Sequence, residues 1–168
     1  MKKIERYWIS EAGYQKLEEK YDRLLQEEID IQKQIGESVK MDNDLRENPD
    51  YMSLQSKAMS EMKFRLAKTK AVLAACDIIE QSERYLNDDD SDVYIGSKVS
   101  LRYEDGAREE YTILGYDEGD LETDVISYLS PLGSALLERK MGQTFRFKNG
   151  DYEEETTILR IQKGGRER

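Results

Sequence analysis

Four carboxylates lie within nine residues at one place in the chain. The segment MDNDLRENPDY, residues 41–51, contains Asp42, Asp44, Glu47 and Asp50. Carboxylate oxygens are the ligands that Mg²⁺ and Ca²⁺ prefer in proteins, and they can also carry protons in catalysis. The chain has a single cysteine and no histidine, which excludes a Cys/His zinc site and a nucleophile paired with histidine. Any chemistry must therefore use carboxylates.

A calcium loop of the EF-hand type does not fit this segment. If the loop began at Asp42, Asp44 would stand on a ligand position, but Arg46 would occupy the next one. Glu47 would replace the required glycine, and Ser53 would replace the final glutamate. We discard this type of site.

Two other interpretations of the acidic segment remain. Asn48 and Asp50 are typical of a helix beginning, where a cap and a negative charge are favourable. That role does not account for Asp42, Asp44 and Glu47, because like charges crowded at one exposed place repel. The alternative is a half-site that delivers carboxylates to a Mg²⁺ ion held elsewhere, since Mg²⁺ typically takes one or two protein carboxylates and completes its shell with water and phosphate oxygens.

The acidic segment separates two helical patterns. Ser10 is a candidate N-cap of the first arm, and Asn48-Pro49 starts the second. Apolar residues recur in steps of three and four in both arms and form a stripe along each. The stripe of the first arm comprises Tyr14, Leu17, Tyr21, Leu24, Ile31 and Ile35, with Glu28 as its polar member. The stripe of the second arm comprises Met52, Met59, Met62, Leu66, Thr69, Leu73 and Cys76, and Ala58, Val72 and Ile79 widen it. This predicts an antiparallel coiled-coil hairpin over residues 1–86, with residues 42–50 at its far tip.

The pattern changes after the hairpin. Residues 87–92 are acidic and polar, which favours a solvated linker over a calcium site. Residues 93–168 predict a small antiparallel sheet with hairpins at Asp105-Gly106 and Asn149-Gly150. Between them, Ser130 is a candidate N-cap of a short helix that starts at Pro131, with Gly142 near its exit. The predicted fold class is α+β.

Composition excludes several kinds of partner. The 168 residues carry 26 basic and 36 acidic side chains, a net charge of −10. Duplex DNA binding is not expected, because a basic face is its usual footprint. No apolar run is long enough to span a bilayer, and no signal peptide follows the first lysines, so we expect a cytoplasmic protein with a basic protein partner.

Three blocks of the sequence, in order, resemble the bacterial Gre-type transcription elongation factors. They are YWISEAGYQKLEEKYDRL in the first arm, NDLRENPDY at residues 43–51, and ISYLSPLGSALLERKMGQTF in the C-terminal module. The family's tip pattern is close to Gly-Asp-Leu-x-Glu-Asn-Ala-Glu-Tyr. Leu45, which follows the aspartate, is closer to the GreA branch than to the GreB branch.

The resemblance implies a transcript cleavage factor that is not itself an enzyme. Such factors bind bacterial RNA polymerase, insert the hairpin into its secondary channel and stimulate its cleavage of backtracked RNA 3′ ends. The family's essential acids correspond to Asp44 and Glu47, which would hold a second Mg²⁺ ion jointly with the polymerase; the free protein is not expected to bind it tightly. The C-terminal module resembles an FKBP-like domain that docks at the channel rim without prolyl isomerase activity.

The resemblance also assigns supporting roles and an alternative function. Asn48, Asp50 and Tyr51 match tip-supporting positions, and Asp42 is an additional acid. Candidate contacts to the RNA are Lys40, Arg46 and Lys57, although a solvated surface accounts for them equally well. Asn43 replaces the family's glycine and Pro49 replaces an alanine. Some family members with altered acidic tips inhibit the polymerase, so an inhibitor is the alternative, and we expect a monomer.

Overall fold

A computed structural model describes residues 6–41, 49–87, 91–119 and 124–163. Contacts divide the chain into two compact units. Unit 1 combines residues 1–14 with 76–168, and unit 2 comprises residues 15–75. These boundaries differ from the predicted domains, because the N-terminal residues and residues 76–86 belong with the C-terminal module.

Two long helices supply unit 2. Helix α1 spans Glu11–Met41 and α2 spans Pro49–Ala74. Leu24 of α1 and Met62 and Leu66 of α2 are buried in one apolar cluster, with Tyr21 and Ile31 packed against it. The predicted stripe of α1 is at least partly buried at every position, including Glu28, whereas Met52 and Ala58 of α2 are exposed. The two helices therefore share a core, and coiled-coil packing between them stays a prediction.

Both predicted helix starts agree with the structure. Ser10 Oγ accepts a hydrogen bond from Gly13 N at 2.9 Å, which caps the first turn of α1. Pro49 is the first residue of α2, where its missing N–H leaves no hydrogen bond unmade. Asn48, its predicted cap, lies outside the described residues.

The second arm ends earlier than its apolar spacing predicts. Helix α2 stops at Ala74, and strand β2 (Cys76–Ile78) pairs in parallel with strand β1 (Tyr7–Ile9). A short 3-10 helix (Ile79–Gln81) and helix α3 (Glu83–Leu86) follow. Cys76 is therefore a strand residue and not part of the helical stripe. The pairing gives hydrogen-bond partners to the backbone groups that the two short strands turn toward each other, which neither segment could supply alone.

The environment of Cys76 predicts that its thiol is alkylated slowly. Partial burial, with the negative charges of Asp77 and Glu118 nearby, raises the pKa of this thiol. Because the thiolate is the nucleophile, we expect iodoacetamide to alkylate Cys76 more slowly in the folded protein than in concentrated urea at the same pH. Mass spectrometry over time measures both rates. Equal rates would contradict the partial burial of Cys76 beside Asp77 and Glu118.

A five-stranded sheet forms the centre of unit 1. Its strands are β3 (Ser97–Tyr103), β4 (Arg108–Leu114), β5 (Val125–Ser127), β6 (Thr144–Asn149) and β7 (Tyr152–Lys163), in the spatial order β5-β4-β3-β7-β6. Helix α4 (Pro131–Leu136) follows β5, and Ser130 Oγ caps it by accepting from Gly133 N at 3.0 Å. The fold class is α+β, as predicted.

The sheet is not purely antiparallel, which corrects the prediction. Strand β5 pairs with β4 in parallel, whereas the other three pairings are antiparallel. Because β5 runs in the same direction as β4, the chain must turn back toward the end of the sheet at which β4 begins. The ten residues between β4 and β5 make this connection.

Both predicted hairpin turns are confirmed. Gly106 joins β3 to β4 with a φ of +88°, and Gly150 joins β6 to β7 with a φ of +65°. Glycine adopts these conformations without the steric cost that a Cβ would add. Gly142 also has a positive φ, but α4 ends at Leu136, so this glycine is not the helix exit.

The core of unit 1 lies on one face of the sheet. Leu101 and Ile158 are fully buried cross-strand partners at its centre. The other buried members are Val93, Val99, Ile113, Ile126, Leu136, Phe145, Phe147 and Ile161. The alternation of buried and exposed residues along β3 follows the period of two predicted from its sequence.

A glycine permits β1 to pack closely against the end of β4. A Cβ built on Gly115 would lie 2.2 Å from the Trp8 carbonyl oxygen and 2.4 Å from Ile9 Cα, both backbone atoms. We therefore expect Gly115→Ala to lower the free energy of unfolding by about 1–3 kcal/mol, the usual cost of overpacking. Urea unfolding followed by circular dichroism measures the change.

The matched control is Gly36→Ala. Nothing lies within 4 Å of a Cβ at Gly36, which is an exposed residue of α1. Alanine has the higher helix propensity, so this substitution is expected to stabilise by up to about 1 kcal/mol. A Gly115→Ala variant as stable as the parent chain would contradict the close approach.

Candidate functional site

The acidic tip residues belong to the connection between the two long helices. Helix α1 ends at Met41 and α2 begins at Pro49, so residues 42–48 join them. The predicted site residues Asp42, Asp44, Arg46, Glu47 and Asn48 lie outside the described residues. Their place in the order of elements agrees with a segment between two helical arms, and their geometry stays a prediction.

The flanking candidates belong to the helix ends. Lys40 is in the last turn of α1, and Asp50 and Tyr51 are in the first turn of α2. Their backbone is described, whereas their side chains lie outside the description.

The dipoles of the two helices act oppositely on the acids between them. The N-terminus of α2 favours negative charge nearby, whereas the C-terminus of α1 disfavours it. By this effect, an acid next to Pro49 is expected to be better stabilised than one that directly follows Met41.

Lys57 is the described member of the predicted RNA contacts. It is exposed on α2 and lines a shallow groove of about 640 Å³ with Ser56, Ser60, Glu61 and Phe64. Eight residues separate it from Pro49, which corresponds to ~12 Å along the helix. Lys57 is thus on the shaft of α2 and not within the acidic segment itself.

No complete metal site is present in the described part of the chain. Across residues 6–41, 49–87, 91–119 and 124–163, no three acidic or cysteine side chains are grouped so that they could hold a metal ion. The predicted Mg²⁺ ligands Asp44 and Glu47 are outside these ranges. The magnesium prediction therefore depends on the tip alone.

A second acidic region, which the sequence interpretation missed, lies at one end of the sheet. Six carboxylates line a cavity of about 460 Å³ together with Tyr103, Ala107 and Tyr111: Glu104, Asp105, Glu109, Glu153, Glu154 and Glu155. We call this cavity the acidic pocket. Its residues come from the β3–β4 and β6–β7 hairpins, which are about forty residues apart in the chain. The run of three glutamates at 153–155 was the available signal.

Two tyrosines form the aromatic part of the acidic pocket. Burial, followed by a hydrogen bond with Tyr111, holds the pKa of Tyr103 far above its ordinary value. Burial also raises the pKa of Tyr111, whose hydroxyl donates to Glu109. Both hydroxyls therefore stay protonated at neutral pH, and the negative charge of the pocket comes from its carboxylates.

Comparison with known proteins decides the family. Residues 88–163 match the family model "Transcription elongation factor, GreA/GreB, C-term". The transcription elongation factor GreA of Treponema pallidum (strain Nichols) is 36% identical over 148 residues, which cover 82% of this chain and 85% of that protein. The GreA of Desulfovibrio desulfuricans is 37% identical over 136 residues, covering 80% of each chain. This chain belongs to the GreA/GreB family of transcription elongation factors.

The family relationship extends beyond the C-terminal model. The GreA of Clostridium acetobutylicum is 31% identical over 169 residues, which cover 96% of this chain and the whole of that protein. The predicted closeness to the GreA branch agrees with these relatives. The solved structure of GreA factor homolog 1 from Thermus thermophilus is 20% identical with a TM-score of 0.41, covering 94% of this chain and 99% of that one.

No membrane span accompanies this Gre-family fold in the residues that the structure describes. None of their helices is sufficiently long and apolar to cross a bilayer.

Proposed function

We propose that this Gre-family chain binds bacterial RNA polymerase, inserts its acidic tip into the secondary channel and stimulates the polymerase's own cleavage of backtracked RNA 3′ ends. The observation that carries the proposal is the position of Asp44 and Glu47 between two long helices of a chain that belongs to the GreA/GreB family. Family membership supports the polymerase as partner, and the order of elements supports the tip as the delivered group.

The helices suit this delivery role. Helix α1 has 31 residues, which makes it ~46 Å long at ~1.5 Å per residue. A pair of helices packed along one seam is much thinner than a globular domain, because a helix with its side chains is ~10–12 Å wide. Such a pair could carry carboxylates along a channel that excludes a folded domain. The predicted antiparallel coiled-coil hairpin is part of this proposal.

We assign the chemistry at the tip to the carboxylates of Asp44 and Glu47. They would supply oxygen ligands to a second Mg²⁺ ion shared with the polymerase, and accept hydrogen bonds from its bound water. Mg²⁺ at such a position acidifies a bound water and stabilises the leaving oxygen of a phosphodiester. Asp42, Asn48, Asp50 and Tyr51 would support the turn. Contacts from Lys40, Arg46 and Lys57 would hold the RNA end.

We assign polymerase docking and the cleavage chemistry to different parts of the chain. On its own the chain would have no hydrolytic activity, because its acids complete a site that the polymerase begins. The C-terminal module, which the sequence resemblance describes as FKBP-like, would provide the docking surface. Leu129, immediately before the cap of α4, and Met141, after it, are exposed apolar residues that could contact the polymerase. A monomer is sufficient for this mechanism.

A second function is supported by the composition of the tip. Asp42 is an acid beyond the family pattern, and Asn43 stands where the family has glycine. A tip that binds in the channel with this altered charge could block nucleotide entry without promoting cleavage. This alternative retains polymerase binding and removes only the chemistry.

A backtracked elongation complex separates the two functions. The complex would carry RNA labelled at its 3′ end, and the full-length chain would be added with Mg²⁺. Release of a short labelled fragment supports cleavage stimulation. Intact RNA together with slower nucleotide addition supports inhibition, and no detectable binding to the polymerase would contradict both.

A further inference from the structure

We infer that Glu118 is a positioning residue for the proposed reaction, because it fixes the first turn of α1 to the sheet of unit 1. Glu118 lies in the connection between β4 and β5 and follows Ser10 by 108 residues in the chain. Both residues belong to unit 1, whereas α1 continues to Met41, next to the acidic segment. The inference rests on the proposed function, in which α1 carries that segment to the polymerase.

The Glu118 carboxylate holds the residue that caps α1. Its Oε2 accepts a hydrogen bond from Ser10 N at 2.8 Å, and its Oε1 accepts one from Ser10 Oγ. Oε2 also accepts from Gly115 N at 2.8 Å, and Gly115 directly follows β4. Ser10 is 6% exposed, so these bonds form largely out of water, where an unmade hydrogen bond is costly. One carboxylate therefore joins the helix start to the sheet.

Glu118 also completes a capping arrangement that the start of α1 lacks locally. In a capping box, the N-cap hydroxyl accepts from the N–H three residues later, and an acid at that third position accepts from the N-cap N–H. Ser10 Oγ accepts from Gly13 N at 2.9 Å, but the third position is glycine and has no side chain. Glu118 supplies the missing acceptor from a distant part of the chain. The helix start is thus complete only when the β4–β5 connection is in place.

The missing side chain of Gly13 makes room for the carboxylate. A Cβ built on Gly13 would lie 2.2 Å from Glu118 Oε1 and 2.4 Å from its Cδ. Three hydrogen bonds hold the carboxylate, so it could not move aside without losing some of them. A backbone contact acts in the same direction, since Tyr116 N donates to the Trp8 carbonyl oxygen at 2.7 Å. Residues 115–118 therefore hold both β1 and the start of α1.

A small change at the start of α1 becomes large at its far end. In a straight helix of 31 residues, ~46 Å long, a change in direction of about 10° would move the last residue by ~8 Å. Reacting groups tolerate much less, because a misplacement of about 1 Å can lower a rate by about a hundredfold. A carboxylate that fixes the first turn would therefore affect cleavage although it touches neither RNA nor metal.

The test titrates the full-length Glu118→Ala chain against a backtracked complex that carries 3′-labelled RNA. Each titration gives a maximal rate of fragment release and a half-saturating protein concentration. We expect the maximal rate to fall by about tenfold or more and the half-saturating concentration to change by less than about twofold, since the tip is misplaced and docking is not. A second carboxylate, that of Glu80, still accepts from Glu11 N at 3.0 Å, so the variant is expected to fold.

Three further variants separate positioning from charge and from folding. Glu118→Gln should retain most of the rate, because its amide oxygen can accept from Ser10 N and Gly115 N while its NH2 group donates to Ser10 Oγ. Gly13→Ala keeps Glu118 but fills the space of its carboxylate, so it should resemble Glu118→Ala. The matched control is Glu27→Ala, which removes one charge from an exposed position of α1 and should leave both values unchanged.

Hydrogen exchange in the free protein provides a readout that needs no polymerase. Glu118→Ala should speed exchange of the Ser10 and Gly13 amides, because the bonds that hold the cap are lost, and unchanged exchange would overturn the inference. A parent-like maximal rate in both Glu118→Ala and Gly13→Ala would also overturn it. So would an equal loss in Glu118→Gln and Glu118→Ala, or a loss confined to the half-saturating concentration.

The parent chain distinguishes failure of this inference from failure of the proposed function. If only the inference fails, the parent chain still stimulates cleavage, and the variants match it. If the parent chain slows nucleotide addition instead, the maximal slowing replaces the cleavage rate and the same pattern among the variants is expected. A parent chain with neither activity would contradict the proposed function and, with it, the positioning role of Glu118.

Discussion

Asp44→Asn is expected to abolish stimulated RNA cleavage while polymerase binding stays nearly intact. The substitution keeps the size of the side chain and removes the negative charge that would hold Mg²⁺. Loss of one metal ligand or water-orienting carboxylate should lower the cleavage rate by about a hundredfold or more, since charge stabilisation of this kind is usually the largest catalytic contribution. The rate is measured by release of a 3′-labelled fragment from a backtracked complex.

The control for this substitution lies on the same helical pair. Glu61→Gln removes one negative charge from α2, where Glu61 is exposed, and should leave cleavage unchanged. Glu47→Gln should behave like Asp44→Asn. If Asp44→Asn lost polymerase binding together with cleavage, the assignment of docking to the C-terminal module would be wrong.

Leu101→Ala is expected to have the largest effect on stability. Leu101 is fully buried at the centre of the sheet, directly opposite the fully buried Ile158. Removing three buried carbons leaves a cavity between β3 and β7, and substitutions of this type cost about 2–5 kcal/mol. Urea unfolding of the full-length chain measures the loss in the free energy of unfolding.

A surface leucine provides the comparison. Leu86 of α3 is 61% exposed, so Leu86→Ala should change stability by about 0.5 kcal/mol or less. The double substitution Leu101→Ala with Ile158→Ala should cost less than the sum of the two single changes, because both residues border one cavity. A cost below about 1 kcal/mol for Leu101→Ala would contradict the position of the core.

Local signals account for the elements that the sequence predicted well. Ser10, Ser130 and Pro49 mark helix starts because capping hydrogen bonds and proline's fixed φ act within a few residues. Gly106 and Gly150 mark hairpin turns because a positive φ is a local requirement. The heptad spacing in α1 likewise reflects the helix's own period.

Long-range pairing accounts for the elements that were missed. Cys76 and Ile79 continue the helical spacing of α2, yet residues 76–78 form β2 because β1 supplies a partner from almost seventy residues earlier. No local pattern records that pairing, and three-residue strands carry too little periodicity to detect. The parallel pairing of β5 with β4 likewise depends on the path of the connection between them, which no local pattern records.

The two acidic regions also differ in whether a local signal in the sequence reveals them. Four acids within nine residues make the tip visible in the sequence, and the family resemblance singles out Asp44 and Glu47. The acidic pocket is assembled from two hairpins distant in the chain, so its cavity and its tyrosines become evident only in the folded sheet. Composition can therefore locate charge, whereas topology decides which charges share a surface.

The magnesium dependence of RNA cleavage tests the central claim most directly. The measurement is the rate of labelled fragment release from a backtracked complex over a range of Mg²⁺ concentrations, with the parent chain, with Asp44→Asn and with no added protein. If Asp44 and Glu47 hold the second ion, the parent chain should lower the Mg²⁺ concentration needed for half-maximal cleavage, and Asp44→Asn should restore the value found without protein. An unchanged Mg²⁺ requirement, or no fragment at any concentration despite demonstrated binding, would contradict the account.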